Sequence, residues 1–100
     1  MLIKKELNLS NFNTNNVNDM CGMFSGCSSL KELNLSKFNT YNVTSMYGMF
    51  HRCSSLTELN LTTFNINNFT NIDDIFFGCS YELKNKIKMQ NKNILFIISK

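Results

Sequence analysis

The chain has 100 residues, 43% of them hydrophobic, enough for one domain with a buried core. Its net charge of +3 is too mild for the concentrated basic field of a nucleic-acid-binding domain, and the late lysines Lys84, Lys86, Lys88 and Lys92 read as a solvated face. The longest apolar run, Ile94 to Ile98, is five residues against the ~20 that span a bilayer, and MLIKKELNLS lacks a signal-peptide pattern, so this segment is not expected to enter a membrane.

The sequence copies itself every 26 residues. Leu7, Leu33 and Leu59 each begin Leu-Asn-Leu, and the same shift relates Phe12, Phe38 and Phe64, then Phe24, Phe50 and Phe76, then Cys27, Cys53 and Cys79. Met20 and Met46 become Ile72, and Val17 and Val43 become Phe69. These relations set repeats at about residues 6–31, 32–57 and 58–83, with 84–100 as a degenerate C-terminal cap of one or two closing strands.

Each copy opens with polar-apolar alternation, Glu6-Leu7-Asn8-Leu9 in the first, which predicts a short strand with Leu7 and Leu9 inward. From Val17 the apolar residues Val17, Met20, Met23, Phe24, Cys27 and Leu30 fall at offsets of 0, 3, 6, 7, 10 and 13, which predicts a short helix with one apolar face. Asn16 is placed to cap that helix with Asp19 three residues on, and Gly26 and Gly78 suit a left-handed ending that the second copy gives to Arg52. One strand and one helix per repeat define an α/β coil whose apolar side is buried only when coils stack and their strands pair in parallel, ~4.8 Å apart. The expected core is Leu7, Leu9, Phe12, Val17, Met20, Phe24 and Cys27, with Leu33, Leu35, Phe38, Val43, Met46, Phe50 and Cys53 in the second copy and Leu59, Leu61, Phe64, Ile72, Phe76 and Cys79 in the third.

The column of Cys27, Cys53 and Cys79 suits small buried hydrophobes at a tight corner, remaining as thiols. Cys21, whose repeat partners are Tyr47 and Asp73, is expected to face outward. Cys21, Cys27, His51 and Cys53 lack the usual zinc spacing, and His51 two residues from Cys53 has no third group to orient it, so neither a metal centre nor a nucleophilic pair is expected. No cofactor motif is present either. The outward columns Glu6, Glu32, Glu58 and Asn8, Asn34, Asn60, flanked by Ser10, Ser36 and Thr62, form a polar strip on the strand face. Most such strips only cover a solvated sheet, yet a solenoid's sheet face is also its usual binding surface, and these six Glu and Asn residues are the candidate partner-binding set.

The string LNLSNFNTNNVNDMCGMFSGCSSLKELNLSKFNTYNVTSMYGMF resembles the BspA-like leucine-rich-repeat surface proteins, in the version common in mycoplasma lipoproteins. That family's unit joins a Leu-x-Leu-Ser strand, a Phe-Asn-Thr turn, a Val-Thr-x-Met-x-x-Met-Phe segment and a Cys-Ser-Ser-Leu corner, and the likeness covers roughly residues 6 to 83. The third copy, NFTNIDDIFFGCSYELKN, has drifted from it. The resemblance implies a right-handed leucine-rich-repeat solenoid at a cell surface or outside the cell, used in adhesion. The expected function is thus a non-enzymatic interaction module that meets a protein or glycan through its polar strand face. The alternative is a structural fragment or decayed repeat copy that stacks on adjacent repeats, or on itself through its open ends, with no ligand of its own.

Overall fold

The computed structural model describes residues 6–9 and 11–91. Ser10 and the expected closing strand at Ile94 to Ile98 lie outside the described residues, as do Met1 to Lys5. Three strands, β1 (Glu6–Asn8), β2 (Glu32–Asn34) and β3 (Glu58–Leu59), form one parallel sheet in that order. Its register repeats the sequence shift, with Glu6 beside Glu32 and Glu58, and Leu7 beside Leu33 and Leu59. Leu33 is buried while Glu32 and Asn34 are exposed, the alternation expected of a strand with one wet face.

The stretch after each strand is not helical. Where a helix was expected from Val17, the chain makes a string of turns closed by bonds from Met23 N–H to Met20 O, Ser25 N–H to Gly22 O, and Cys27 N–H to Phe24 O. The alternate amides leave the coil altogether. Met20, Gly22, Phe24 and Gly26 donate to Ser45, Tyr47, Met49 and His51 of the second copy at 2.8–2.9 Å. Met46, Gly48, Phe50 and Arg52 donate in the same sense to Asn71, Asp73, Ile75 and Phe77 of the third, at 2.6–3.0 Å. A helix would need those amides for its own i−4 carbonyls.

The backbone angles make the same point. Gly22, Gly48 and Asp74 have φ of 63°, 59° and 56°, and Gly26, Arg52 and Gly78 have 80°, 61° and 80°. A left-handed residue at the third place of a turn is the type II signature and is incompatible with a right-handed helix. Glycine fills four of these six sites because it adopts that conformation at no steric cost. Asn16 therefore caps nothing helical.

Apolar side chains from the turns and strands meet in one core. Phe24, Phe50 and Phe76 stack with ring centroids 5.9 and 5.5 Å apart and planes within 7° of parallel. Met20, Met46 and Ile72 lie beside them, as do Leu35, Leu61 and Val43, all buried. Phe12 departs from the expected core: it is 54% exposed, against 3% for Phe38 and 4% for Phe64. Leu7, Leu9 and Val17 are half-buried for the same reason, since they belong to the first coil, which has a described coil on one side only. The third copy departs differently. Phe69 is 90% exposed and Thr70 is buried, because the local turn there runs from Thr70 N–H to Asn67 O, one residue later than its counterparts from Val17 to Thr14 and from Val43 to Thr40.

The segment after Ser80 overturns a second expectation. Where a closing strand is expected from residue 84, the described part of the segment is helix α1 (Tyr81–Gln90). Ser80 is the N-cap, its Oγ accepting from Leu83 N–H at 3.1 Å, with Glu82 in the first turn and Lys88 in the last. Leu83 and Ile87, one turn apart, are fully buried and dock the helix on the third coil.

Candidate interaction surface

Glu32, Asn34, Ser36, Glu58 and Asn60 converge on an open concavity of ~510 Å³ that crosses the strands and ends at Gln90 of α1. The parallel register makes this possible, because identical side chains recur on the same face at each strand. Glu6 and Asn8 share that register through their backbones; their side chains lie outside the described residues.

The two described glutamates are not equivalent. Lys86 Nζ of α1 donates to Glu58 Oε1 at 2.9 Å and to the Thr57 carbonyl at 3.1 Å. Hydrogen bonding to Glu58 holds the Lys86 ammonium above the usual lysine range. Both partners are well exposed, so the pair adds little stability and acts mainly to neutralise Glu58. Glu32 has no ion pair among the described residues, and it leaves the one uncompensated carboxylate described in the concavity.

The asparagines serve the backbone first. Asn34 Oδ1 accepts from Ser36 N–H at 3.0 Å, and Asn60 Oδ1 accepts from Thr62 N–H at 2.9 Å and from the Thr62 hydroxyl at 2.7 Å. These are side-chain turns of the kind asparagine and aspartate favour, and they recur at Asn13, Asp19, Asn39, Asn67 and Asn71. Asn34 and Asn60 thus meet the concavity with the acceptor oxygen already engaged, leaving the amide Nδ2 as the group for a ligand.

Sequence reasoning misses Gln90 and reads Lys86 only as part of a solvated row. Gln90 Nε2 donates to Leu59 O at 2.8 Å while its Oε1 accepts from Leu61 N–H at 3.0 Å, and Asn91 Nδ2 donates to Leu61 O and Phe64 O. These side chains occupy the outer edge of β3 with the hydrogen bonds another strand would make. The signal that would have found them is the helical pairing of Leu83 with Ile87 behind a Ser80 cap.

The cysteines split as their positions suggest. Cys27, Cys53 and Cys79 are buried thiols, and Cys21 is an exposed one. Cys53 Sγ donates to the Phe24 carbonyl at 3.1 Å and Cys79 Sγ to the Phe50 carbonyl at 3.0 Å. Burial pushes the Cys53 thiol up to about 12, helped by the adjacent Cys79 and Cys27, and it raises the other two as well. A thiol held protonated in apolar surroundings is a poor nucleophile and a poor metal ligand. His51 stands apart from Cys53, its ring stacked on Phe77 at 5.2 Å with the Arg52 guanidinium 5.8 Å from the same ring. Among the described residues no three His, Cys, Asp or Glu side chains gather to hold a metal ion, and no helix there is long and apolar enough to cross a membrane.

No curated protein and no solved structure matches the chain. The match that exists covers nearly the whole repeat array and its helix: over residues 2–94 the chain belongs to the family described as Mycoplasma protein of unknown function, DUF285.

Proposed function

We propose that the chain is a short leucine-rich-repeat-type solenoid, of the BspA-like surface-protein kind, that acts as a non-enzymatic interaction module for adhesion. Its partner is a protein or glycan surface met by the strand face. The carrying observation is the concavity across the strands, where Glu32 stays uncompensated while Lys86 neutralises Glu58. One free carboxylate beside the outward amide donors of Asn34 and Asn60 suits a cationic side chain or a row of sugar hydroxyls. The strands are held in register by backbone bonds, so the array is rigid before a partner arrives, which lowers the ordering cost of binding. A non-enzymatic role is supported by the cysteine column, which is buried, protonated and bonded to backbone carbonyls. A structural role within a longer stack is the second reading, favoured by the apolar side chains that the first coil leaves exposed.

The test is a pair of arrays, one of basic peptides and one of glycans, probed with the wild-type chain and with Glu32→Lys. Glu32 is exposed, so reversing its charge should leave the circular dichroism spectrum and melting midpoint unchanged. Binding on either array that falls at least tenfold in Glu32→Lys is the expected outcome. Equal binding by the two proteins would remove the strand face from consideration.

A further inference from the structure

From Met20 and from Met46 onward the turn strings donate only forward, and the reverse bonds, Thr44 N–H to Asn18 O and Asn71 N–H to Thr44 O, lie just before them. From Met20 to Gly26 the amides donate forward to the second coil, and from Met46 to Arg52 they donate forward to the third. An ordinary strand edge alternates donors and acceptors, so either edge can pair with either edge. Along the turn strings of the second and third coils the leading side is a row of accepting carbonyls, and along those of the first and second the trailing side is a row of donating amides. On the second coil the accepting carbonyls are those of Ser45, Tyr47, Met49 and His51. Their counterparts on the first coil, Asp19, Cys21, Met23 and Ser25, accept no hydrogen bond from any described residue.

The same leading side exposes apolar atoms that the repeat buries elsewhere. Leu7, Leu9, Val17 and Met23 are half-buried, whereas Leu33, Leu35, Val43 and Met49 one coil later are buried. Phe12 changes most, as given above. What covers the later set is the trailing side of a coil of this same repeat. The first coil therefore presents, in one surface, the acceptor row and the apolar contour that such a trailing side fits.

We infer that the leading face of the first coil is a docking surface for a further coil of this 26-residue repeat, entering by its amide-bearing trailing side. Along the turn strings the polarity opposes the symmetric alternative. Two copies of this chain meeting first coil to first coil would set carbonyl row against carbonyl row, which leaves both unsatisfied. Head-to-tail growth of this chain alone is blocked as well, because α1 covers the strand side of the third coil and its Gln90 and Asn91 side chains hold the β3 edge. The partner is consequently a repeat coil whose trailing side carries no closing helix.

The experiment inserts a second copy of residues 32–57 between Lys5 and Glu6, keeping the rest of the full chain. A control places the same copy between Lys31 and Glu32, where coils already stack on both sides. Both insertions should raise the melting midpoint and the urea m-value together. In the first, amide exchange at the inserted counterparts of Met46, Gly48 and Phe50 should slow to the rates those residues show in the parent. Val17→Asp should then lower the melting midpoint of the extended chain by more than it lowers the parent's, where Val17 is only half-buried. An N-terminal insertion that adds no protection while the control does would overturn the inference, as would failure of both. Sedimentation of the parent chain should give a monomer; a first-coil dimer would contradict the polarity argument.

Discussion

At the residue scale the cysteine column has a consequence for pH. Cys27, Cys53 and Cys79 are neutral thiols in the fold, with Cys53 pushed up to about 12 and the others raised. In the unfolded chain the same groups ionise near the ordinary thiol value of ~8.5. Their stabilising contribution is complete below that value and shrinks as pH rises through it toward the folded value, because only the unfolded state releases protons in that window. The slope is at most ~1.4 kcal/mol per pH unit for each such thiol. Urea midpoints measured from pH 8 to 11 should fall, and Cys53→Ala should flatten the fall even though it lowers the starting stability by a cavity cost of roughly 1 kcal/mol. A pH slope identical in the variant would mean that Cys53 ionises freely in the folded chain. The asparagines teach a related lesson. Their abundance is plain in the sequence, but which amide oxygens turn back to the backbone is not, since that depends on the turn each asparagine enters.

At the element scale, the strands were readable and the helices were not. Leu33 and Leu35 alternate with polar neighbours, and a 26-residue repeat fixes their pairing before any coordinates are known. The segment from Val17 to Leu30 misleads because its turns close at i to i+3, placing the apolar corners three or four residues apart. A helix produces that same spacing. What separates the two is glycine: Gly22 and Gly48 recur in register, as do Gly26 and Gly78, and a four-residue recurrence of left-handed positions cannot sit inside a helix. The true helix, α1, is hidden by the opposite ambiguity, because Lys86-Ile87-Lys88-Met89 alternates polar and apolar as a strand does. Its attachment is testable. Gln90→Leu removes both bonds to β3 and leaves Leu61 N–H and Leu59 O without partners at a part-buried site. The expected loss is about 2 kcal/mol by urea denaturation. Met89→Gln, on the exposed side of the same turn, should change stability by less than ~0.5 kcal/mol. Equal effects from the two would show that the Gln90 bonds do not hold α1.

At the scale of the whole molecule, stability comes from neighbours in the stack. Each coil bonds to the next through its strand, its turn string and the threonine links, in which Asn39 N–H and Asn65 N–H donate to Thr14 Oγ1 and Thr40 Oγ1. Nearest-neighbour stacking of this sort has no long-range contact to lock distant parts together. The candidate site follows the same logic: no single copy contains it, and it arises because equal side chains are laid side by side. That part was legible from the Glu and Asn columns. The neutralising Lys86 was not, because it comes from outside the repeat.

The bonds between coils also decide how the molecule would bear a load. They lie along the stack axis, so a pull applied through the two ends strains one coil junction at a time, as in opening a zipper, and does not shear several strands at once. Each coil that peels away frees 26 residues, worth up to ~90 Å of extended chain. Optical-tweezer traces should therefore show low-force lengthening in increments near that size. A single high-force rupture would instead mean that the coils act as one mechanical unit. A chain of this build lengthens before it breaks, taking up strain one coil at a time instead of passing it on whole.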